Sequence, residues 1–417
     1  MSVENNVPEI RLKGFSGDWI YKKLEDLTET GFSNGVFNDP QKVGKGYRLI
    51  NVKDMYSGDS INIDNLSLVD IDENEFKNNK VEYGDIFFTR SSLVREGIAY
   101  SNVNLSNRDD ITFDGHLIRM QPCMISNDPV FLAYLFKTSC ARKQLVLGGK
   151  TTTMTTIGQS DIAVVELALA NKLEQTQIGN YFQKLDNLIK QHQQKHDKLS
   201  NVKKAMLEKM FPKKGEAIPE IRFKGFSGDW EEVTLGEYAR FTKGQGYSKS
   251  DLSESGTPII LYGRLYTNYQ TVISQVDTFA IEKSKSLKSV GNEVIVPASG
   301  ESSEDIARAS AVCESGVILG GDLNIIYPND KINPVFLALV ISNGYPQKEL
   351  ASKAQGKSVV HIRNSDLDAL LFTMPKKKEQ TVIGNYFQKL DTLINQHQQQ
   401  ITKLNNIKQA YLSKMFV

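Results

Sequence analysis

In two stretches of this chain the seam positions step by four and three residues in unbroken alternation. They are Ile178, Phe182, Leu185, Ile189, His192, His196 and Leu199, and again Ile383, Phe387, Leu390, Ile394, His397, Ile401 and Leu404. A 3.5-residue period is that of a coiled-coil seam. Each stretch therefore predicts a helix of about 35 residues, roughly 50 Å at 1.5 Å per residue, running on to Met210 or Met415. Neither seam can stay bare in water: each helix lies on its own domain or pairs with the other, and the unbroken spacing favours pairing. The short linker PKKGEAIPE leads from the first helix straight into the next domain. Antiparallel pairing of Ile178, Phe182, Leu185, Ile189 and Leu199 with Ile383, Phe387, Leu390, Ile394, Ile401 and Leu404 would give a pseudo-twofold molecule with a domain at each end.

Elsewhere the apolar runs are short. GDIFFTRS (84–91) and NEVIVPAS (292–299) are bounded by turn residues, and HLIRMQP (116–122) matches DLNIIYP (322–328) in pattern, so all four predict core strands. A helix should follow in both copies, because Asp128-Pro129 and Asn333-Pro334 place a cap residue and a first-turn proline before VFLAYLF and VFLALVI. Asn333-Pro334-Val335-Phe336 is similar to the NPPF-type signature of amino-methyltransferases. The other copy has Asp128 in place of the asparagine and neither copy has the second proline, so capping is the better account.

These parallels belong to a duplication. PEIRLKGFSGDW (8–19) returns as PEIRFKGFSGDW (219–230) with 11 of 12 positions the same, and EQTQIGNYFQKLDNLIKQHQQ (174–194) returns as EQTVIGNYFQKLDTLINQHQQ (379–399) with 18 of 21. One unit of roughly 205 to 211 residues is used twice, while 20–165 and 231–370 differ almost everywhere. The fold class expected is α+β: strand-rich mixed domains at 1–165 and 213–372, alternating with helices at 166–212 and 373–417.

Composition narrows the function. With 40% hydrophobic residues, 417 residues can bury two or more cores. The start MSVENNVPEI lacks a basic, then apolar, leader, and there is no run of about 18 apolar residues, so a cytoplasmic protein with no membrane association is expected. Cys123, Cys140 and Cys313 fall at unrepeated positions without CxxC spacing, which argues against disulfides and structural zinc. The net charge of +1 hides a division: the helical tails at 172–214 and 376–417 carry about +6 and +5, leaving the remainder near −10. Much of that acid is Asp59, Asp64, Asp70, Asp72, Glu73 and Glu75, a segment expected to face away from DNA or toward a partner.

Catalytic and metal signals are missing. Gly149-Lys150-Thr151 and Gly356-Lys357-Ser358 resemble the end of a phosphate loop, but Gln144 and Ala351 stand where its first glycine must be; Gly244 and Gly246 lack the third glycine of a dinucleotide fingerprint. No GxSxG, HExxH or repeated carboxylate pair occurs. No catalytic or metal-ligating residue is assigned. What the Gly-Lys loops GGKTTTMTTIGQSDI (148–162) and QGKSVVHIRNSDL (355–367) do offer is a dense set of donors for phosphate oxygens and base edges. Candidate DNA contacts are Lys150, Thr151, Thr152 and Thr153 in the first loop, and Lys357, Ser358, His361 and Arg363 in the second. Arg90, Ser91, Ser92 and Arg95 follow a strand in the first half, and Ser299 and Ser302 in the second; Gln245, Tyr247, Lys249 and Arg264 complete the set. The bland alternative is a solvated turn in which Ser160-Asp161 or Ser365-Asp366 caps the next element.

Across nearly all 417 residues, the chain resembles the specificity subunits of type I restriction-modification systems. The resemblance is carried by PEIRLKGFSGDW and PEIRFKGFSGDW, GDIFFTRSS, GKTTTMTTIGQSDI and the paired EQTxIGNYFQKLD helices. It implies two target-recognition domains, each reading half of a split double-stranded DNA target, and helices that set the gap and dock two modification subunits. It also implies that S-adenosylmethionine, ATP and Mg are used by the modification and restriction/translocase subunits, this chain binding no cofactor itself. A 50 Å spacer corresponds to about 15 base pairs at most, and unlike domains predict a non-palindromic target. The competing reading is a coiled-coil scaffold with two protein-binding domains and no affinity for DNA.

Overall fold

The structure, a computed structural model, describes residues 6–37, 42–151, 153–356 and 359–417. The candidates Thr152, Lys357 and Ser358 lie outside the described residues. The chain forms two compact units, Met1–Gln193 together with Gln399–Val417, and Gln194–Gln398. Each contains one strand-rich domain, the first half of the long helix that follows it and the last turns of the other long helix.

Both long helices have 38 residues, Lys172–Lys209 and Lys377–Lys414, so they start earlier than the seam alone indicates. The first begins at Asn171, whose side chain accepts from the Glu174 amide at 3.0 Å. The expected choice between lying on a domain and pairing with a helix proves to be no choice. In the first unit Ile178, Phe182 and Leu185 are buried in the domain core together with Met415 and Phe416, with Leu404, Ile407 and Tyr411 packed against it. In the second unit Ile383, Phe387 and Leu390 are buried with Met210, with Leu199 and Leu207 at the margin. Ile401 is buried, whereas Ile189 and Ile394 are only half-buried. The helices run antiparallel within each unit: Tyr181 meets Tyr411 and Phe182 meets Phe416 in one, Phe387 meets Phe211 in the other.

The repeated phrases are the parts that interlock. Trp19, Phe131, Phe182 and Phe416 form one aromatic cluster with ring centroids 5.4–6.3 Å apart; Trp230, Phe336, Phe387 and Phe211 form its counterpart at 5.8–6.2 Å. Arg11 grips Glu174 with two nitrogens at 2.7 Å each, and Arg222 grips Glu379 in the same way. Both glutamates are buried, which makes the bidentate guanidinium necessary, and that hydrogen bond raises the pKa of each arginine. Ile10 donates its amide to the Lys414 carbonyl and Ile221 to that of Lys209, both at 2.9 Å.

The variable stretches hang from this frame on matching strands. In the first unit a sheet of Thr28–Asn34, Leu117–Pro122, Ile86–Thr89 and Ser101–Val103 is antiparallel throughout; in the second, Ala239–Lys243, Leu323–Pro328, Glu293–Pro297 and Ser310–Val312 take the same order. The expected strands and caps are present. Asp128 accepts from the amides of Val130 and Phe131, Asn333 from those of Val335 and Phe336, opening helices Pro129–Leu135 and Pro334–Ile341. This is capping, as the sequence reading preferred over a methyltransferase signature. The two copies also match where these central strands begin: buried Glu293 accepts from the Gly291 and Asn292 amides at 3.0 Å, much as Asp85 accepts from the Glu82 amide at 2.9 Å.

Candidate nucleic-acid interface

In the first unit the strand-following residues and the Gly-Lys loop form one surface. Ser91–Ser92 pairs with Thr155–Thr156, which pairs with Lys150–Thr151, giving a three-stranded ribbon. Arg90 enters it between two partners, its amide donating to the His116 carbonyl at 3.0 Å and its carbonyl accepting from Ile157 at 2.9 Å. Arg90, Arg95, Lys150, Thr151 and Thr153 are exposed; Ser91 and Ser92 are half-buried. Lys150 has an acid, Asp161, at 3.6 Å, and the Thr151 and Thr155 hydroxyls meet at 3.0 Å. Two cations on an exposed ribbon, with Arg95 in the turn just beyond it, suit a polyanion.

The second unit repeats the ladder with other side chains. Ala298 donates to Asp322 at 2.8 Å and accepts from Ile362 at 3.1 Å, so Ala298 and Asp322 hold the places of Arg90 and His116. Ser299–Gly300 pairs with Val360–His361. Lys243, Gln355, His361 and Arg363 line a cleft of about 320 Å³ over this ribbon. A larger hollow of about 870 Å³ is bordered by Lys249, Arg264 and the tyrosines Tyr247 and Tyr262.

Several candidates are engaged in holding the protein together. Arg264 bonds Asp277 at 2.7 Å, the Gln270 side chain at 3.1 Å and the Gln275 carbonyl at 3.1 Å. The buried Tyr247 hydroxyl takes the Lys283 amide at 2.6 Å and the Ser286 hydroxyl, with the Lys283 ammonium 4.5 Å from its ring. Ser302 caps the helix Ser303–Ile306, and Ser299 is buried. For Arg264, Tyr247 and Ser302, local strand and loop closure uses the polar group that the sequence offered to DNA, whereas Ser299 is withdrawn by burial. The bland reading also holds at Asp161 and Asp366, whose carboxylates accept from the Gly158 and Arg363 amides at 3.0 and 2.8 Å. Gln245, Lys249, His361 and Arg363 remain exposed.

Other surface residues were not singled out from the sequence. The Gln159 amide donates to Asn34 at 2.7 Å, and Asn34 in turn donates to the carbonyls of Gly115 and Leu117, which brings these groups beside His116 and Arg90. Phe37 is exposed one residue past Val36, whose carbonyl accepts from Gly115. His116 and Asp322 open the two matching strand phrases, a positional signal that could have found them.

The acidic segment has a partner inside its own unit. Lys408 bonds Asp59 at 2.9 Å and also Asp186, which takes the Tyr134 hydroxyl. Burial pulls the Lys408 pKa down, but the two carboxylates outweigh it and leave it raised. In the second unit the Lys203–Asp391 pair is its counterpart.

Among the described residues no group of three His, Cys, Asp or Glu could hold a metal, and no helix is long and apolar enough to cross a membrane. Two unlike surfaces, set on equivalent strand ends of one repeated frame, define a two-part recognition protein. Residues 16–201 and 227–406, most of the chain, each match the family model for the type I restriction modification DNA specificity domain, and the chain belongs to that family. The putative type I restriction enzyme MjaX specificity subunit of Methanocaldococcus jannaschii is 22% identical over 425 residues, covering 98% of this chain and 95% of the relative. The MjaVIII specificity subunit of the same organism is 21% identical over 260 residues, 60% of each chain. The crystal structure of the type I restriction-modification system S subunit from M. genitalium shares the fold at TM-score 0.58 and 15% identity, over 99% of both chains. The protein is thus a specificity subunit, which is not itself catalytic and assembles with methyltransferase and restriction subunits on DNA.

Proposed function

We propose that each unit reads one half of a gapped, asymmetric double-stranded DNA target through its ribbon surface. The first unit would use Arg90, Arg95, Lys150, Thr151 and Thr153 with His116, and the second Gln245, Lys249, His361 and Arg363 with Lys243. The observation that carries this reading is the equivalence of the two ladders combined with the exchange of Arg90 and His116 for Ala298 and Asp322. Equal placement with unequal donors gives two surfaces with the same approach to a duplex and different base preferences. The long helices set the gap and dock two modification subunits in the cytoplasm. S-adenosylmethionine, ATP and Mg are used on those subunits and on the translocase, and adenine is the base modified. A scaffold that binds only proteins leaves the cationic ribbon of the first unit, and the Lys243 and Arg363 beside the matching ladder of the second, without a use.

The test is to express the chain with its modification subunit in a methylation-free host and sequence the native DNA. A single two-part motif with a fixed gap is expected. A soluble complex that leaves the genome unmodified would return weight to the scaffold reading.

A further inference from the structure

Two large apolar side chains project from the first unit beside its ribbon: Leu93 is 85% exposed and Val94 61%. They follow Ser92 directly, and the register Thr155↔Ser92 puts them at the same end of the ribbon as the turn through Thr153 and Met154. Exposed Arg95 comes next along the chain, and Arg90 and Lys150 stand on the ribbon itself. A scattered exposed leucine is ordinary in a folded protein. This one sits on a loop braced from behind. The half-buried Arg142 guanidinium donates to the carbonyls of Glu96 at 2.7 Å and Ile98 at 2.8 Å, and also to that of Ala99. Thr89 donates its hydroxyl to Gly97 at 2.9 Å, and the Val94 amide bonds the Ser92 hydroxyl at 3.2 Å. Packing around Gly97 is so close that a Cβ there would fall 2.2 Å from the Ser92 hydroxyl, and Ala99 takes a positive φ of 48°. A stiff loop that holds bare apolar groups in water loses little entropy when they are inserted into something.

The second unit differs at this end of its ribbon: its exposed apolar residue there, Val359 at 48%, adjoins the strand Val360–His361 and does not lie in the loop that leaves Ser299–Gly300. Its ribbon strand Ser299–Gly300 leads into Glu301 and then the cap Ser302 of the helix Ser303–Ile306, so the corresponding loop is acidic and polar.

We propose that Leu93, backed by Val94, is a wedge that enters between two stacked base pairs in the half-site read by the first unit, unstacking one step, while the second unit reads its half-site undistorted. Apolar side chains flanked by cations are suited to this, since the cations hold the backbone while the wedge takes the place of a stacked base. The wedge would favour an easily unstacked pyrimidine–purine step, adding selectivity at a position without base-edge hydrogen bonds. The inference rests on the DNA-reading function proposed above.

The experiment uses the full chain assembled with its modification subunits on duplexes carrying 2-aminopurine at successive positions of each half-site. Leu93→Ala is compared with Ile125→Ala, a residue 86% exposed in the turn beyond the other end of the strand Leu117–Pro122. The expected result is a fluorescence rise at one step of the first half-site that Leu93→Ala abolishes and Ile125→Ala keeps, with affinity lowered about 10-fold. A wild-type complex that binds its motif with no rise, or whose every rise survives Leu93→Ala, overturns the wedge and leaves the reading function intact. A wild-type complex with no sequence preference at all overturns both. Unchanged melting of Leu93→Ala excludes misfolding as the cause of a lost signal.

Discussion

At the aromatic clusters the two units match ring for ring, Trp19, Phe131, Phe182 and Phe416 against Trp230, Phe336, Phe387 and Phe211, yet on the ribbons Arg90 and His116 face Ala298 and Asp322. The difference separates two kinds of constraint. A cluster ring touches three elements at once, so changing its size opens a void or forces a shift that no single neighbour can absorb. Arg90, His116 and Asp322 contribute their backbones to the ladder while their side chains are exposed, so the strand pairing is indifferent to what those side chains are. One site can therefore stay constant while the other changes its chemistry, which is what a protein needs if it is to keep its assembly and alter its target.

The comparison can be broken first at the seam. Leu185→Asp and Leu390→Asp bury an unpaired carboxylate and should cost on the order of 4 kcal/mol or more, unfolding the first and second unit respectively. Hydrogen exchange resolves which unit opens; a stable, fully active complex in both variants would sink the packed-helix assignment. Phe416→Ala and Phe211→Ala should each cost about 3 kcal/mol, and each should loosen the unit that its ring enters rather than the one that precedes its helix. Two-transition melting with hydrogen exchange reads this; equal loosening of both units in either variant would mean that the clusters are not independent.

On the ribbons the effects should be smaller and unequal. Arg90→Ala should weaken binding by about 1–3 kcal/mol and relax preference in one half-site only, while Arg363→Ala does so in the other. Mapping methylated motifs for the two variants decides it, and a change in both halves from one substitution would refute the division of labour. The smallest effect concerns pH. Burial pushes the Asp85 carboxyl up to about 6, against the Glu82 amide and Arg119, whereas in the unfolded chain it titrates near the usual carboxylate value. Between those values the folded state holds the extra proton, so the first unit should lose stability as pH rises from about 4 to 6. Asp85→Asn should remove that component of the melting profile and leave the second unit's profile unchanged.

Much of this was legible in the linear chain. The duplication, the 3.5-residue period, the matched strand phrases and the Asp128 and Asn333 caps are local or repetitive signals, and each corresponds to an element of the fold. The roles of polar side chains were less legible. Arg264, Tyr247 and Ser302 have the chemistry of DNA contacts but meet acids, amides and helix ends first, and only the folded chain shows which donors are already taken.

The sequence by itself determined that one frame is used twice and that a long helix with a 3.5-residue seam closes each copy, and its motifs carried the resemblance to the family. The first two follow from periodicity and repetition, which depend on neighbours along the chain. Tertiary structure alone decided that Phe416 completes the first cluster, that Arg11 neutralises a buried Glu174, that Arg90 and Lys150 share a ribbon, and that Arg142 braces the loop of Leu93. Each of those contacts joins residues dozens to hundreds of positions apart, and hydrophobic burial with backbone pairing selects such partners only when the whole domain closes.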